Sequence, residues 1–79
     1  MEVDFTVFSD GPHPSVYLLT PHTAAARAWL GENVQAEPYQ FIGTSLAVEH
    51  RYIAEIVEGI RAAGMEVREL WNVFFAENN

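Results

Sequence analysis

The sequence contains no cysteine and no lysine. Without cysteine there is neither a disulfide framework nor a thiolate metal site, a composition that fits a reducing compartment. The lack of lysine leaves four basic residues, Arg27, Arg51, Arg61 and Arg68, against 11 acidic ones, for a formal net charge of -7. A field of that sign repels nucleic-acid phosphates and anionic membranes and attracts basic surfaces. A basic patch with interleaved aromatics is also missing, so direct nucleic-acid binding is not expected. No apolar run approaches the roughly 20 residues of a membrane span. No positively charged n-region precedes an apolar h-region, so no signal peptide is expected. These absences together predict a soluble, cytoplasmic protein without a membrane partner.

What is present is enough for one small domain. In 79 residues, 49% are hydrophobic and 19% charged, a balance that predicts a folded core rather than a disordered chain. Residues 2–8 (EVDFTVF) alternate, with Val3, Phe5 and Val7 on one face and Glu2, Asp4 and Thr6 on the other, the pattern of a half-buried strand. SDGPHP follows with turn chemistry, and SVYLLT at 15–20 resumes as the second arm of a hairpin. Thr20 or Thr23 caps a short helix carried by Ala24–Ala28 and anchored by Trp29. QAEPYQ is read as a loop and FIGTSLAV at 41–48 as a third strand, with Gly43 as a bulge or close-approach point.

From Arg51 to Ala63 the helical period is regular. Tyr52, Ile53, Ile56, Val57, Ile60 and Ala63 fill one arc of about 140°, with Arg51, Glu55, Glu58 and Ala62 opposite. Arg51 and Glu55 form an i,i+4 pair, and Gly64 ends the helix as a left-handed residue. MEVREL at 65–70 is a strand with Met65 and Val67 on one face. The expectation is an α+β single domain spanning 1–79 in β-β-α-β-α-β order, with a mixed, mostly antiparallel sheet and two helices on one face. The tail WNVFFAENN carries Trp71, Val73, Phe74 and Phe75 within five positions. Either it packs on the chain's own sheet, or it forms a dimer or partner surface through Trp71, Phe74 and Phe75.

The stretch VEHRYIAEIV at 48–57 lines up Glu49, His50, Arg51 and Tyr52, residue types that move protons. Consecutive helical side chains point about 100° apart, so the four fan around the axis and do not converge on one atom. Glu49 and His50 fall where a helix N-terminus is due, and Glu49 is favoured there by the free N–H groups. His13, His22 and His50 have no metal-binding spacing. Nucleophile-elbow, phosphate-loop and dinucleotide patterns do not occur, and the five glycines are scattered. Glu55 and Glu58 face solvent on a helix rather than a cleft that would split them into acid and base. The expectation is a protein without catalytic residues, metal or cofactor.

The remaining reading is a binding module. Carboxylates on a rigid surface, Glu55 and Glu58 first, then Glu32, Glu37 and Glu66, with Glu69, Glu2 and Asp4 besides, imitate a run of phosphates and dock on an Arg/Lys groove. Their acidity also serves solubility. The alternative is a structural homodimer or accessory subunit assembled through the aromatic tail.

Ala26–Leu30 (ARAWL), Glu32-Asn33-Val34, Leu46–Val57 and Gly64-Met65-Glu66-Val67 resemble segments shared by a group of short uncharacterised bacterial proteins. The resemblance covers roughly residues 15–68 and implies a shared fold without assigning catalytic residues. In size and charge the chain is also similar to small acidic anti-CRISPR proteins of phages and mobile elements. Some of these are DNA mimics that occupy the nucleic-acid path of a Cas subunit. That likeness implies an inhibitor whose partner has a basic, nucleic-acid-binding surface.

Overall fold

The structure, a computed structural model, describes residues 3–9 and 15–70. Its elements are β1 (Phe5–Ser9), β2 (Val16–Pro21), α1 (Ala24–Asn33), a 3-10 turn (Pro38–Gln40), β3 (Phe41–Ile42), β4 (Ser45–Glu49), α2 (His50–Ala62) and β5 (Val67–Leu70). They form an α+β fold with a five-stranded sheet in the order β3-β4-β2-β1-β5. Three of its four strand pairs are antiparallel, and β1 and β5 are parallel.

The segment 41–48 is two strands rather than one. Ile42 pairs with Ser45, so Gly43 and Thr44 form a two-residue hairpin turn. Gly43 has φ of 64° and Thr44 is not left-handed, the pattern of a turn that takes glycine at its first central position. The expected β-β-α-β-α-β order thus gains a short edge strand.

One face of the sheet is the core face. The register sets Phe5 beside Pro21 and Val67, Val7 beside Leu19, Leu19 beside Leu46, and Tyr17 beside Val48. Phe5, Leu19, Leu46 and Ile60 are fully buried there, joined by Ala26 and Leu30 of α1 and Ile53 of α2. Both helices therefore cover the same face. Full burial of each such large side chain stabilises the fold by about 1.5–3 kcal/mol. Trp29 meets Phe5 edge-on, with ring centroids 6.1 Å apart. The helices approach closely because residue 59 is glycine: a Cβ there would stand 3.2 Å from the Trp29 ring.

The helix ends have identifiable causes. Thr23, in extended conformation, accepts a hydrogen bond from the Ala26 N–H and so caps α1. At the end of α2, the Met65 N–H donates to the Ile60 carbonyl and the Gly64 N–H to the Arg61 carbonyl. With Gly64 at φ of 83°, this is a Schellman closure.

Asp4 is a structural carboxylate. It accepts from the Thr23 hydroxyl at 2.8 Å and from the Glu66 N–H at 3.0 Å, joining β1, α1 and the start of β5. It is therefore not free for docking as its alternating position suggested. The Glu66 N–H first, and the Thr23 hydroxyl second, hold its carboxyl below the usual value. A depressed folded-state value gives stability that is present above the unfolded value of about 3.9 and lost as pH falls through the folded one. Asp4→Asn is therefore expected to melt lower than the native chain at neutral pH, with the gap closing below about pH 4. Thermal melts followed by circular dichroism across pH 2–7 check this, and a pH-independent gap contradicts it.

The opposite sheet face carries no helix among the described residues. Across it runs the row Leu70, Phe8, Leu18, Ala47, with Arg68, Thr6 and Thr20 in the adjoining row. The Thr20 and Ser45 hydroxyls lie 2.6 Å apart, and the Thr6 hydroxyl lies 2.8 Å from Nε2 of His22.

Candidate acidic docking surface

α2 begins at His50, with Glu49 at its N-cap position and no side-chain cap bond. Glu49, His50, Arg51 and Tyr52 are all exposed. Glu49 and Tyr52 line an open groove of about 340 Å³ with Gln35, Gln40 and Glu55; His50 does not reach it. Among the described residues no three His, Cys, Asp or Glu side chains gather as a metal-binding group. His22 is engaged with Thr6, and His13 lies outside the described residues.

Two expectations about α2 are corrected. Arg51 pairs with Glu49 at 3.5 Å rather than with Glu55, and its guanidinium sits over the Tyr52 ring at 5.4 Å. Pointing back along the chain lets the guanidinium meet a carboxylate and an aromatic face at once. Tyr52 is half exposed rather than packed in the apolar arc. It occupies the arc's edge in the first turn of the helix, where the groove opens beside it.

The predicted docking carboxylates stand as follows. Glu55 and Glu58 are exposed on α2, Glu32 near the end of α1, and Glu66 just before β5. Glu37 is exposed at the start of the 3-10 turn, where it and Gln40 cap each other's backbone N–H groups. None of these five has an Arg partner among the described residues, whose ion pairs are Arg51–Glu49 and Arg61–Glu69 at 3.8 Å. Both pairs are solvent-exposed and contribute little, on the order of 0–1 kcal/mol.

The five do not converge on one groove. Glu55 joins Glu49 beside Gln35 and Gln40, while Glu58 lines a separate open groove with Arg61 and Glu69. Glu49, Gln35 and Gln40 were missed as groove residues. The helical period carried no sign of Gln35 and Gln40, because the loop before β3 brings them to α2 from a distance in sequence; Glu49 was read only as the residue that starts the helix. Glu2 and the proposed interface residues Trp71, Phe74 and Phe75 lie outside the described residues.

The site is thus a set of exposed carboxylates, three of them on the helix layer of an α+β fold, beside an open groove of mixed lining. No family model matches the chain, and no match is found among curated proteins or solved structures. No helix among the described residues is long and apolar enough to cross a membrane.

Proposed function

We propose that the chain is a small, non-enzymatic protein-binding module that docks exposed carboxylates, those of α2 first, on a basic surface of another protein. The observation that carries this reading is the exposure of Glu32, Glu37, Glu55, Glu58 and Glu66 without a cationic partner among the described residues. In a chain of net charge -7, Glu32, Glu55 and Glu58 are held on helices, Glu37 at the start of a 3-10 turn and Glu66 directly before β5. A preorganised array of that kind steers association with an Arg/Lys-rich groove and loses strength in salt.

A groove of that chemistry is one built for nucleic acid, so the module acts as a DNA mimic and its effect on the partner is inhibition. The narrowest form of the reading is an inhibitor of the anti-CRISPR kind, acting on a nucleic-acid-binding Cas subunit in the cytoplasm. Likeness in size and charge supports that form. The reading assigns no reaction, metal or cofactor to the chain. Its direct test is charge reversal at Glu55 and Glu58, measured as the rate of association with a partner recovered from host lysate. Binding that survives reversal unchanged at low salt contradicts it.

A further inference from the structure

We propose that the groove between α1 and the β3–β4 hairpin is a binding site for a small apolar carboxylate, an aliphatic or arylalkyl acid held by Arg27. The proposal is independent of the docking carboxylates, none of which lines this groove.

The groove lies where the helix layer stops short of the sheet edge. Phe41 of β3 stands opposite Leu46, so its side chain falls on the core face. Leu46 is fully buried there, whereas Phe41 keeps 40% of its surface exposed. The facing wall comes from α1. Arg27, Leu30, Gly31 and Val34 follow at i, i+3, i+4 and i+7, which places them on one side of the helix and its cap. Between the two walls is a space of about 450 Å³, larger than the groove of about 340 Å³ beside α2. Small-molecule sites occupy roughly 300–1,000 Å³ and join apolar walls to a few polar groups.

Gly31 is a second, independent observation. Glycine inside a helix is unfavourable relative to alanine. Gly59 of α2 has a packing reason, since a Cβ there would meet the Trp29 ring. Gly31 has neither such a neighbour nor a positive φ: beyond its own helix backbone, no heavy atom lies within 4 Å of where its Cβ would stand. The space a side chain at this position would fill is the groove itself. The glycine keeps that wall low for an occupant that is not part of the described fold.

Charge selects the occupant. In a chain of net charge -7, Arg27 is the one charged residue lining this groove. Neither ion pair of the described residues uses it. Arg27 is exposed, so its guanidinium meets water at the mouth, while Leu30, Val34 and Phe41 form the walls. A molecule with an apolar body and a terminal carboxylate suits both parts. The body covers Phe41, and the carboxylate accepts from the guanidinium's forked N–H donors.

The test is a titration of the full chain with octanoate, phenylpropionate and octanol, followed through backbone amide resonances. Both acids are expected to shift the Gly31, Val34 and Phe41 amides saturably and to leave those of Val7 and Arg68 in place. Octanol is expected to bind about fivefold more weakly than octanoate, the weight of an exposed ion pair. Arg27→Gln should remove that difference by weakening the acids alone. Gly31→Leu should weaken all three probes about tenfold or more, because it fills the groove. Circular dichroism checks that both variants keep the native spectrum. Absence of saturable shifts with either acid in the native chain overturns the proposal, whatever the variants do. Octanol binding as tightly as octanoate also overturns it, as does octanoate binding that a natively folded Gly31→Leu leaves unchanged.

Discussion

Phe5→Ala is expected to remove about 3–5 kcal/mol of folding stability, the range for truncating a buried aromatic ring. Phe5 has no exposed surface. It sits on β1, between β2 and β5, and its ring receives the edge of Trp29 from α1. Truncation therefore opens a cavity where three strands and a helix meet, and those elements cannot all collapse inward to fill it. A domain of this length has roughly 4–12 kcal/mol of total stability. The loss is thus a large share of the whole and corresponds to a fall in melting temperature of about 12 °C or more. Thermal unfolding followed by circular dichroism measures it. A loss below about 1.5 kcal/mol would mean that Phe5 is not the centre of the core.

Reversing Glu55 and Glu58 to Arg together is expected to slow association with the partner on the order of tenfold at low salt, about 1.4 kcal/mol of affinity if dissociation is unchanged. Each reversal changes the charge by two, so the formal net charge moves from -7 to -3. Both side chains are exposed on α2 and have no ion-pair partner among the described residues. Substitutions at such positions usually change stability by no more than about 0.5 kcal/mol. The far-ultraviolet spectrum should therefore stay the same while the association rate falls. The difference should shrink as salt rises, because the Debye length drops from about 10 Å at 0.1 M to about 3 Å at 1 M. A rate that is unchanged at low salt removes steering by these two residues.

Most of the scaffold was legible in the sequence because its periods are clean. The arc Ile53, Ile56, Val57, Ile60 repeats at helical spacing, and the helix it predicts runs His50–Ala62 and closes on Gly64 as expected. The alternation Val3, Phe5, Val7 marks the core face of β1, and all three are buried. Phe8 falls out of that phase, which is the local signal that the other face is also apolar. The split of 41–48 into a hairpin was hidden. Gly43-Thr44 sits inside an apolar run, and the glycine's left-handed φ becomes visible only once Ile42 is seen opposite Ser45.

The site was less legible than the fold. Glu55 and Glu58 could be placed on the exposed stripe of α2 from periodicity alone. Asp4 could not be recognised as structural, because its partners Thr23 and Glu66 are 19 and 62 residues away in sequence. Glu49 and Tyr52 were read from their position on the helix, whereas their role beside Gln35 and Gln40 depends on the path of the loop before β3. Periodicity reports which side of an element faces the core; it does not report what a distant loop brings to the other side.

The central claim is that this acidic surface occupies a site built for nucleic acid. Competition between the chain and duplex DNA for the basic protein recovered with it tests that claim most directly. The account predicts mutual exclusion: added chain displaces labelled DNA from that protein, and the variant with Glu55→Arg and Glu58→Arg displaces it poorly. A complex that holds the chain and the DNA together, with the DNA affinity unchanged, would contradict it.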